Sequence, residues 1–211
     1  MELIPAKIPS IIQSIIPGIT WVGKNLSDEN TIYLTFDDGP DPASTPRILR
    51  VLEEYGIRAT FFVTGENAQR FGSLMDESVF QGHEIANHGF RHLDGWKISL
   101  SRFISNVEEG REITGSHYFR PPYGRMTFRQ YKWARKSNEV ILWSVMPGDF
   151  MTDISTERMI TRATKSKAPG DVIVLHDNPR FISAVNEILP RILEDFLEAG
   201  FIFQAICEIN G

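Results

Sequence analysis

Short hydrophobic runs alternate along this chain with longer segments whose apolar residues recur every three or four positions. Runs of the first kind favour buried strands, and the second pattern favours helices that pack one face on a core. Strands are predicted near residues 31–37, 58–63, 83–86, 117–120, 139–145, 171–175 and 201–206. Helices are predicted between them, near 45–55, 66–80, 97–114, 126–137, 155–166 and 181–199. This alternation predicts a single domain of the α/β class.

The helix near 45–55 has the clearest boundaries. Thr45 is a candidate cap, Pro46 suits a first turn, and Gly56 follows the last turn as a stop. About seven strand–helix units in one chain of this length favour a closed or nearly closed parallel barrel. A doubly wound open sheet is the alternative, because periodicity alone does not report closure. Both architectures place functional side chains beyond the carboxyl ends of the strands.

Residues 1–30 precede this pattern and are predicted to form an N-terminal extension, with the main domain spanning 31–211. Isoleucines recur at helical spacing between Pro9 and Pro17, which predicts a short amphipathic helix packed on the barrel. The segment is too short to span a bilayer and lacks the basic start of a signal peptide. We expect no membrane span and, by default, a cytoplasmic location, with cell-envelope association as the alternative.

Charge and cysteine content narrow the function further. A net charge of -5 and a pI near 5.6 give no general electrostatic reason to bind nucleic acid. Cys207 is the single cysteine, so the fold cannot depend on an intramolecular disulfide. No glycine-rich phosphate loop follows a predicted strand, so a nucleotide cofactor is not expected.

Two adjacent acids, Asp37 and Asp38, stand where the first predicted strand meets a Gly-Pro turn. Two neighbouring carboxylates repel each other, and a site that keeps both ionised normally needs a cation. His88 and His92 are four residues apart, a spacing that lets two imidazoles reach one ion from a helical turn or a compact loop. Gly89 favours the loop. Two nitrogens and one carboxylate oxygen leave a position open for water, as in catalytic zinc sites.

Three later segments also place polar residues at or after the ends of predicted strands. They are Phe119-Arg120-Pro121-Pro122-Tyr123-Gly124, Gly148-Asp149-Phe150 and Val172-Ile173-Val174-Leu175-His176. Together with T-F-D-D-G-P and the H-x-x-x-H pair, this order resembles the polysaccharide deacetylases, the NodB-homology or carbohydrate esterase family four group. The resemblance covers residues 31 to about 206. It implies a distorted (β/α)7 barrel and a metal-dependent hydrolase.

The resemblance also implies a role for each motif. Asp38, His88 and His92 correspond to the metal ligands of the family. The ion expected there is Zn²⁺, with Co²⁺ or Ni²⁺ as alternatives. Asp37 corresponds to the general base.

Four further motif residues have counterparts in the family. Arg120 corresponds to the arginine that fixes the base, and the backbone N–H of Tyr123 to an oxyanion contact. His176 corresponds to the general acid and Asp149 to the carboxylate that keeps it charged.

The chain departs from the family pattern at two motifs. Gly89 replaces a usual Ser or Thr after the first histidine, which affects how the loop is supported more than which residues bind metal. The fourth motif, usually D-x-x-D-W, runs here from Met146 to Phe150 and changes the wall near the acid. We expect the substrate's shape to be affected more than the chemistry.

Sugars commonly stack on aromatic side chains, and several aromatic residues lie in or beside the motif loops. The candidate substrate contacts are Trp96, Tyr123 and Phe150, together with Leu175, whose family counterpart lines the acetyl pocket. Trp143 lies inside an apolar run and is expected in the core.

The sequence therefore predicts an enzyme that removes N-acetyl groups from glycans containing N-acetylglucosamine, such as peptidoglycan, chitin-type oligosaccharides or an exopolysaccharide. One alternative is a metalloamidase of the same fold that acts on a small non-sugar amide. The other is a glycan-binding module in which catalysis is impaired.

Overall fold

A computed structural model describes residues 5–9, 19–21, 30–80 and 82–206 of the chain. The strands in this part are β1 (Ile19–Thr20), β2 (Thr31–Asp38), β3 (Thr60–Val63), β4 (Glu84–Asn87), β5 (Tyr118–Phe119), β6 (Glu139–Ile141), β7 (Val172–His176) and β8 (Ile202–Gln204). The α-helices are α1 (Thr45–Glu54), α2 (Gly65–Arg70), α3 (Gly72–Phe80), α4 (Leu100–Thr114), α5 (Phe128–Ser137), α6 (Thr156–Thr164) and α7 (Ile182–Glu198). Short 3-10 helices cover Gly95–Lys97 and Pro122–Gly124.

The sheet is parallel throughout its paired strands and curls towards closure. Its order is β1-β6-β5-β4-β3-β2-β7, with β8 paired to the first half of β2. The chain beyond β6 then meets β7, where Val145 pairs with Ile173. The amide of Ser144 donates to the carbonyl of Val172 at 3.0 Å, and that of Val174 to Val145 at 3.1 Å. The prediction of a distorted barrel is confirmed, because this contact joins the two sides of the sheet.

Alternation along β2 separates the helix-facing residues from the barrel interior. Ile32, Leu34 and Phe36 belong to the apolar cluster that α1 and α7 complete, whereas Tyr33 packs in the interior. Burying each large apolar side chain stabilises the fold by about 1.5–3 kcal/mol. A shift of the β2 register by one residue would move these side chains to the wrong face and lose most of that free energy. The register of β2 is thereby fixed, and Asp37 follows Tyr33 on the interior side.

Several predicted boundaries need correction. Ser44, rather than Thr45, is the cap residue of α1, and neither hydroxyl caps the helix. The predicted helix 66–80 is two helices separated at Phe71. The strand predicted over 139–145 ends at Ile141, because the following residues turn from β5 towards β7 to close the sheet.

Parts of the N-terminal extension also contact the barrel. β1 pairs with β6, and Lys7 forms an antiparallel bridge with Val145. Lys7 Nζ lies 2.8 Å from Asp171 Oδ2. Most of the predicted amphipathic helix falls in residues 10–18, outside the described residues, so that prediction and the domain boundary stay predictions. Among the described helices, none combines the length and the apolar character that a membrane span needs.

Candidate active site

The two acids of the first motif turn in different directions at the end of β2. Asp37 is buried inside the barrel mouth. Asp38 has a φ of +83°, a left-handed conformation that few residues other than glycine adopt. Its carbonyl accepts a hydrogen bond from Asn67 Nδ2 at 3.0 Å, which helps to hold this conformation. The two adjacent carboxylates therefore lie in different parts of the site.

Asp38, His88 and His92 form a cluster suited to a metal ion. One ligand atom from each of the three lies within 4.8 Å of the others. Asp38 Oδ1 is 3.2 Å from His92 Nε2 and 3.8 Å from His88 Nε2. This oxygen is buried and accepts no hydrogen bond from any described residue, whereas Asn178 Nδ2 donates to Oδ2 at 3.0 Å. An unpaired buried acceptor facing two imidazoles fits a divalent cation.

His88 is held in a suitable orientation for coordination. Its Nδ1 lies 2.8 Å from the carbonyl oxygen of Arg120, an acceptor that fixes the proton on Nδ1 and leaves Nε2 free of one. Burial lowers the pKa of His88 well below its usual value, and the neighbouring His92 adds to this effect. A neutral ring with an available nitrogen is the form that binds a metal.

The loop from His88 to His92 is supported by α4. Phe90 N–H donates to the carbonyl of Asn106 at 2.7 Å. The Asn106 side chain accepts from Arg91 N–H at 2.8 Å and donates to the Arg91 carbonyl at 2.9 Å. Backbone groups of the loop are thus paired, which fixes the separation of the two histidines.

Arg120 joins Asp37 to the barrel interior. Its Nη1 donates to Asp37 Oδ1 at 2.6 Å and to Thr35 Oγ1 at 2.7 Å. The remaining nitrogens donate to the carbonyls of Ile141 and Leu142, both at 3.2 Å. Burial lowers the pKa of the fully buried Arg120 guanidinium, and the contact with Asp37 opposes this shift. Each charge of this pair compensates the other, and either one alone would be costly to bury.

His176 and Asp149 form a second pair across the site. His176 Nδ1 is 2.9 Å from Asp149 Oδ1, and the His176 backbone N–H donates to Asp149 Oδ2 at 2.8 Å. Burial opposes the charged ring, but the attraction and hydrogen bond of Asp149 outweigh it and raise the pKa of His176 to about 9. The predicted contact between these residues is confirmed.

Comparison with known proteins decides the family. The family model described as polysaccharide deacetylase matches residues 24–138. The chain belongs to the polysaccharide deacetylase family. It is 31% identical over 199 residues to the peptidoglycan-N-acetylglucosamine deacetylase of Bacillus cereus, covering 90% of this chain and 92% of that protein.

Two further relatives extend the comparison. A chitooligosaccharide deacetylase of Rhizobium leguminosarum is 35% identical over 70% of this chain and 68% of its own. The crystal structure of a peptidoglycan N-acetylglucosamine deacetylase with a bound N-oxidanyl-benzamide superposes with a TM-score of 0.85 and 27% identity, over 95% of both chains. The deacetylase fold is therefore shared over nearly the whole chain.

The departure of this deacetylase at Gly89 has a structural reason. Gly89 has a φ of +82°, and a Cβ there would lie 2.4 Å from Asn106 Nδ2. Asn106 occupies the space that a side chain at this position would need. A glycine therefore fits here without strain, and Asn106 supplies polar support for the loop.

The departures in the fourth motif leave its acid in place. Met146 is buried, and its carbonyl accepts a hydrogen bond from Arg162 Nη2 at 3.1 Å. Phe150 packs edge-on against His176, with ring centroids 5.3 Å apart. Phe150 thus lines the wall beside His176, and Asp149 keeps its contact with that ring.

The predicted substrate contacts are spread between surface and core. Trp96 and Tyr123 are exposed, and the Tyr123 ring packs against His92 with centroids 4.5 Å apart. Leu175 is fully buried in the apolar cluster between sheet and helices, and its predicted contact with the substrate stays a prediction.

Sequence reasoning missed a buried network behind the two acids. Asp177 accepts hydrogen bonds from Ser44 Oγ at 2.5 Å and Thr45 Oγ1 at 2.6 Å, and its amide donates to the Asp37 carbonyl at 2.8 Å. Burial raises the pKa of Asp177 to about 7. The acid directly after His176 and the Ser-Thr pair after the D-D-G-P turn were the available signals. For Asn178, which contacts Asp38, the sequence carries no such signal.

Proposed function

We propose that this protein is a metal-dependent hydrolase that removes N-acetyl groups from glycans containing N-acetylglucosamine. One observation carries the proposal. Two ion pairs, Asp37–Arg120 and Asp149–His176, lie around the cluster of three candidate metal ligands. Amide hydrolysis needs a proton acceptor for water and a proton donor for the departing amine. The Asp37–Arg120 pair can supply the proton acceptor, and the Asp149–His176 pair can supply the proton donor.

Asp38, His88 and His92 are the proposed metal ligands. Two imidazole nitrogens and one carboxylate oxygen suit Zn²⁺, with Co²⁺ or Ni²⁺ as alternatives. When bound, such an ion lowers the pKa of a coordinated water and polarises a carbonyl oxygen. Asn178 and the Arg120 carbonyl orient two of the ligands from behind.

Asp37 is the proposed general base. Arg120 occupies Oδ1, so Oδ2 is the oxygen available to accept the proton of the attacking water. The permanent charge and planar shape of Arg120 hold the carboxylate in one orientation. The buried position also excludes bulk water from the proton-accepting atom.

His176 is the proposed general acid. Asp149 holds Nδ1, which leaves the Nε2 proton for the nitrogen of the departing amine. A pKa of about 9 keeps the ring protonated at neutral pH. The backbone N–H of Tyr123 is proposed to stabilise the developing oxyanion, and Phe150 to line the wall beside the acid.

The substrate class is proposed from chemistry and relatives together. Relatives include deacetylases named for peptidoglycan and for chitooligosaccharides. Peptidoglycan or chitin-type oligosaccharides are therefore the substrates that we propose to test first. A peptidoglycan substrate would place the activity at the cell envelope.

The test is acetate release from N-acetylated chito-oligosaccharides and from peptidoglycan by zinc-loaded protein, with the Asp37→Asn variant as control. We expect release by the wild type and a large loss in the variant. Release only from small non-sugar amides would instead indicate a metalloamidase. Binding of glycans without acetate release would indicate an impaired binding module.

A further inference from the structure

Three aromatic side chains in the described residues are more than half exposed. They are Trp96 at 63%, Tyr123 at 56% and Phe128 at 68%. A single exposed aromatic residue is ordinary on a protein surface. What distinguishes Trp96 is that it is exposed and yet held by several specific contacts.

Both nitrogens of Trp96 are fixed. Its backbone N–H donates to Asp94 Oδ1 at 3.0 Å, and its indole N–H donates to the Met126 carbonyl at 3.1 Å. The guanidinium of Arg125 lies 4.9 Å from the centroid of the ring. The indole is therefore preorganised, and a ligand that stacks on it would lose little side-chain entropy.

The turn beneath Trp96 is clamped as well. Gln130 Nε2 donates to the Gly95 carbonyl at 2.9 Å, which ties the turn to the start of α5. A Cβ at Gly95 would lie 2.3 Å from the Arg125 carbonyl, so the two backbones approach as closely as a glycine permits. The exposed ring thus stands on a rigid base.

Trp96 is continuous with the proposed active site. Arg125 also lies 5.7 Å from the ring of Tyr123. Tyr123 in turn packs against the proposed metal ligand His92. A surface therefore runs from His92 through Tyr123 and Arg125 to Trp96, with consecutive groups less than 6 Å apart.

The charge of this surface is largely compensated. Arg125 Nη1 lies 3.0 Å from Asp94 Oδ2, so its guanidinium already has a carboxylate partner. Desolvation raises the pKa of Asp94, but the hydrogen bond from the Trp96 N–H and the contact with Arg125 together outweigh it and lower the pKa, so the carboxylate stays ionised at neutral pH. A paired arginine beside an indole suits a neutral ring with hydroxyl groups better than a free anion.

We propose that Trp96, supported by the Arg125–Asp94 pair, forms a binding subsite for a neutral sugar ring next along the glycan from the one that is deacetylated. The proposal rests on the proposed function and adds that the enzyme recognises an oligosaccharide rather than a single sugar. Trp96 acts here in binding and specificity, through stacking of its exposed indole on the apolar face of the ring.

The test compares N-acetylated chito-oligosaccharides of increasing length. Calorimetry measures their binding to zinc-loaded Asp37→Asn protein, in which turnover is slow, with and without Trp96→Ala. Acetate release by otherwise wild-type protein gives kcat/KM for the same series. Loss of one stacking contact should weaken binding of the longer oligosaccharides by about threefold to tenfold and leave the shortest unaffected.

Two further variants make the result specific. Trp96→Phe keeps an aromatic face and should retain most of the affinity. Phe128→Ala removes an equally exposed ring whose contacts are with Tyr131 and Lys132, and it should leave both affinity and length dependence unchanged.

The outcomes separate this proposal from the proposed function. If Trp96→Ala binds and deacetylates every length as its parent does, or if Phe128→Ala is equally impaired, the subsite is refuted while the deacetylase activity stands. If the wild type releases no acetate, the proposed function fails, and the binding series still decides whether Trp96 holds a sugar.

Discussion

Replacement of Asp149 by Asn isolates the electrostatic part of the proposed acid catalysis. Asn keeps the size of the side chain and can still accept the backbone N–H of His176 through its amide oxygen. It removes the charge that offsets the burial of the ring. The pKa of His176 should then fall from about 9 to about 6.5 or below.

The expected effect on activity follows from the protonated fraction. At pH 8, a histidine with a pKa of about 9 is about 90% protonated, and one with a pKa of about 6.5 is about 3% protonated. Activity at pH 8 should therefore fall about 30-fold, with a smaller loss near pH 6. The alkaline limb of the kcat/KM profile should move down by about two to three pH units.

The assay is acetate release across pH 5–10 at constant metal occupancy, with Asp171→Asn as a matched control. Asp171 is also a buried carboxylate, but its partners are Lys7 and Ser144. Its substitution should leave the alkaline limb in place. An unchanged limb in Asp149→Asn, with metal still bound, would refute the assignment of His176 as an acid tuned by Asp149.

The same pair links stability to pH. The folded pKa of His176 is raised above the unfolded value, so its contribution is complete below about pH 6.5 and is lost as pH rises towards 9. A difference of about 2.5 pKa units corresponds to about 3 kcal/mol. The stability advantage of wild type over Asp149→Asn, from denaturant unfolding, should shrink by roughly that amount across this window.

Three further variants test other parts of the site. His92→Ala should lose stoichiometric metal, measured by elemental analysis after zinc loading, because only two of the three proposed ligands would be left; full retention would contradict the assignment. Asp37→Asn should keep its metal while kcat falls by about 10²–10⁴-fold, the usual contribution of a general base, and near-wild-type acetate release would place the base elsewhere. Gly89→Ser should lower the free energy of unfolding by about 1–3 kcal/mol, because it combines a positive φ with a clash against Asn106; an unchanged melting temperature would show that the loop can relax.

The strands and the main site residues could be predicted because their signals are local. Several of the hydrophobic runs that form strands carry functional residues at or just beyond their ends, as the runs ending at Asp37 and His176 do. Burial fixes the register of such a strand, so the motif and its position in the barrel are specified together. Gly89 likewise indicated that His88 and His92 are joined by a loop rather than by a helical turn.

The missed features depend on contacts between distant parts of the chain. Asn178 reaches Asp38 across 140 positions, and Asp177 reaches Ser44 across 133. Neither contact leaves a periodic pattern in the sequence. The place where the barrel closes, at Val145, was missed for the same reason. A strand prediction identifies an extended segment but not the strand with which it pairs.

Arg120 has a consequence for the design of inactive controls. Its side chain compensates the buried charge of Asp37, while its own carbonyl orients His88. Removing one member of a buried ion pair typically destabilises a protein by about 3–5 kcal/mol, because the other charge is left without compensation. Substitution of Arg120 would therefore weaken the barrel, the base and the metal cluster together. An inactive Arg120 variant could not distinguish lost chemistry from lost folding, so an inactive form taken from either buried pair of this site needs its free energy of unfolding measured beside its activity.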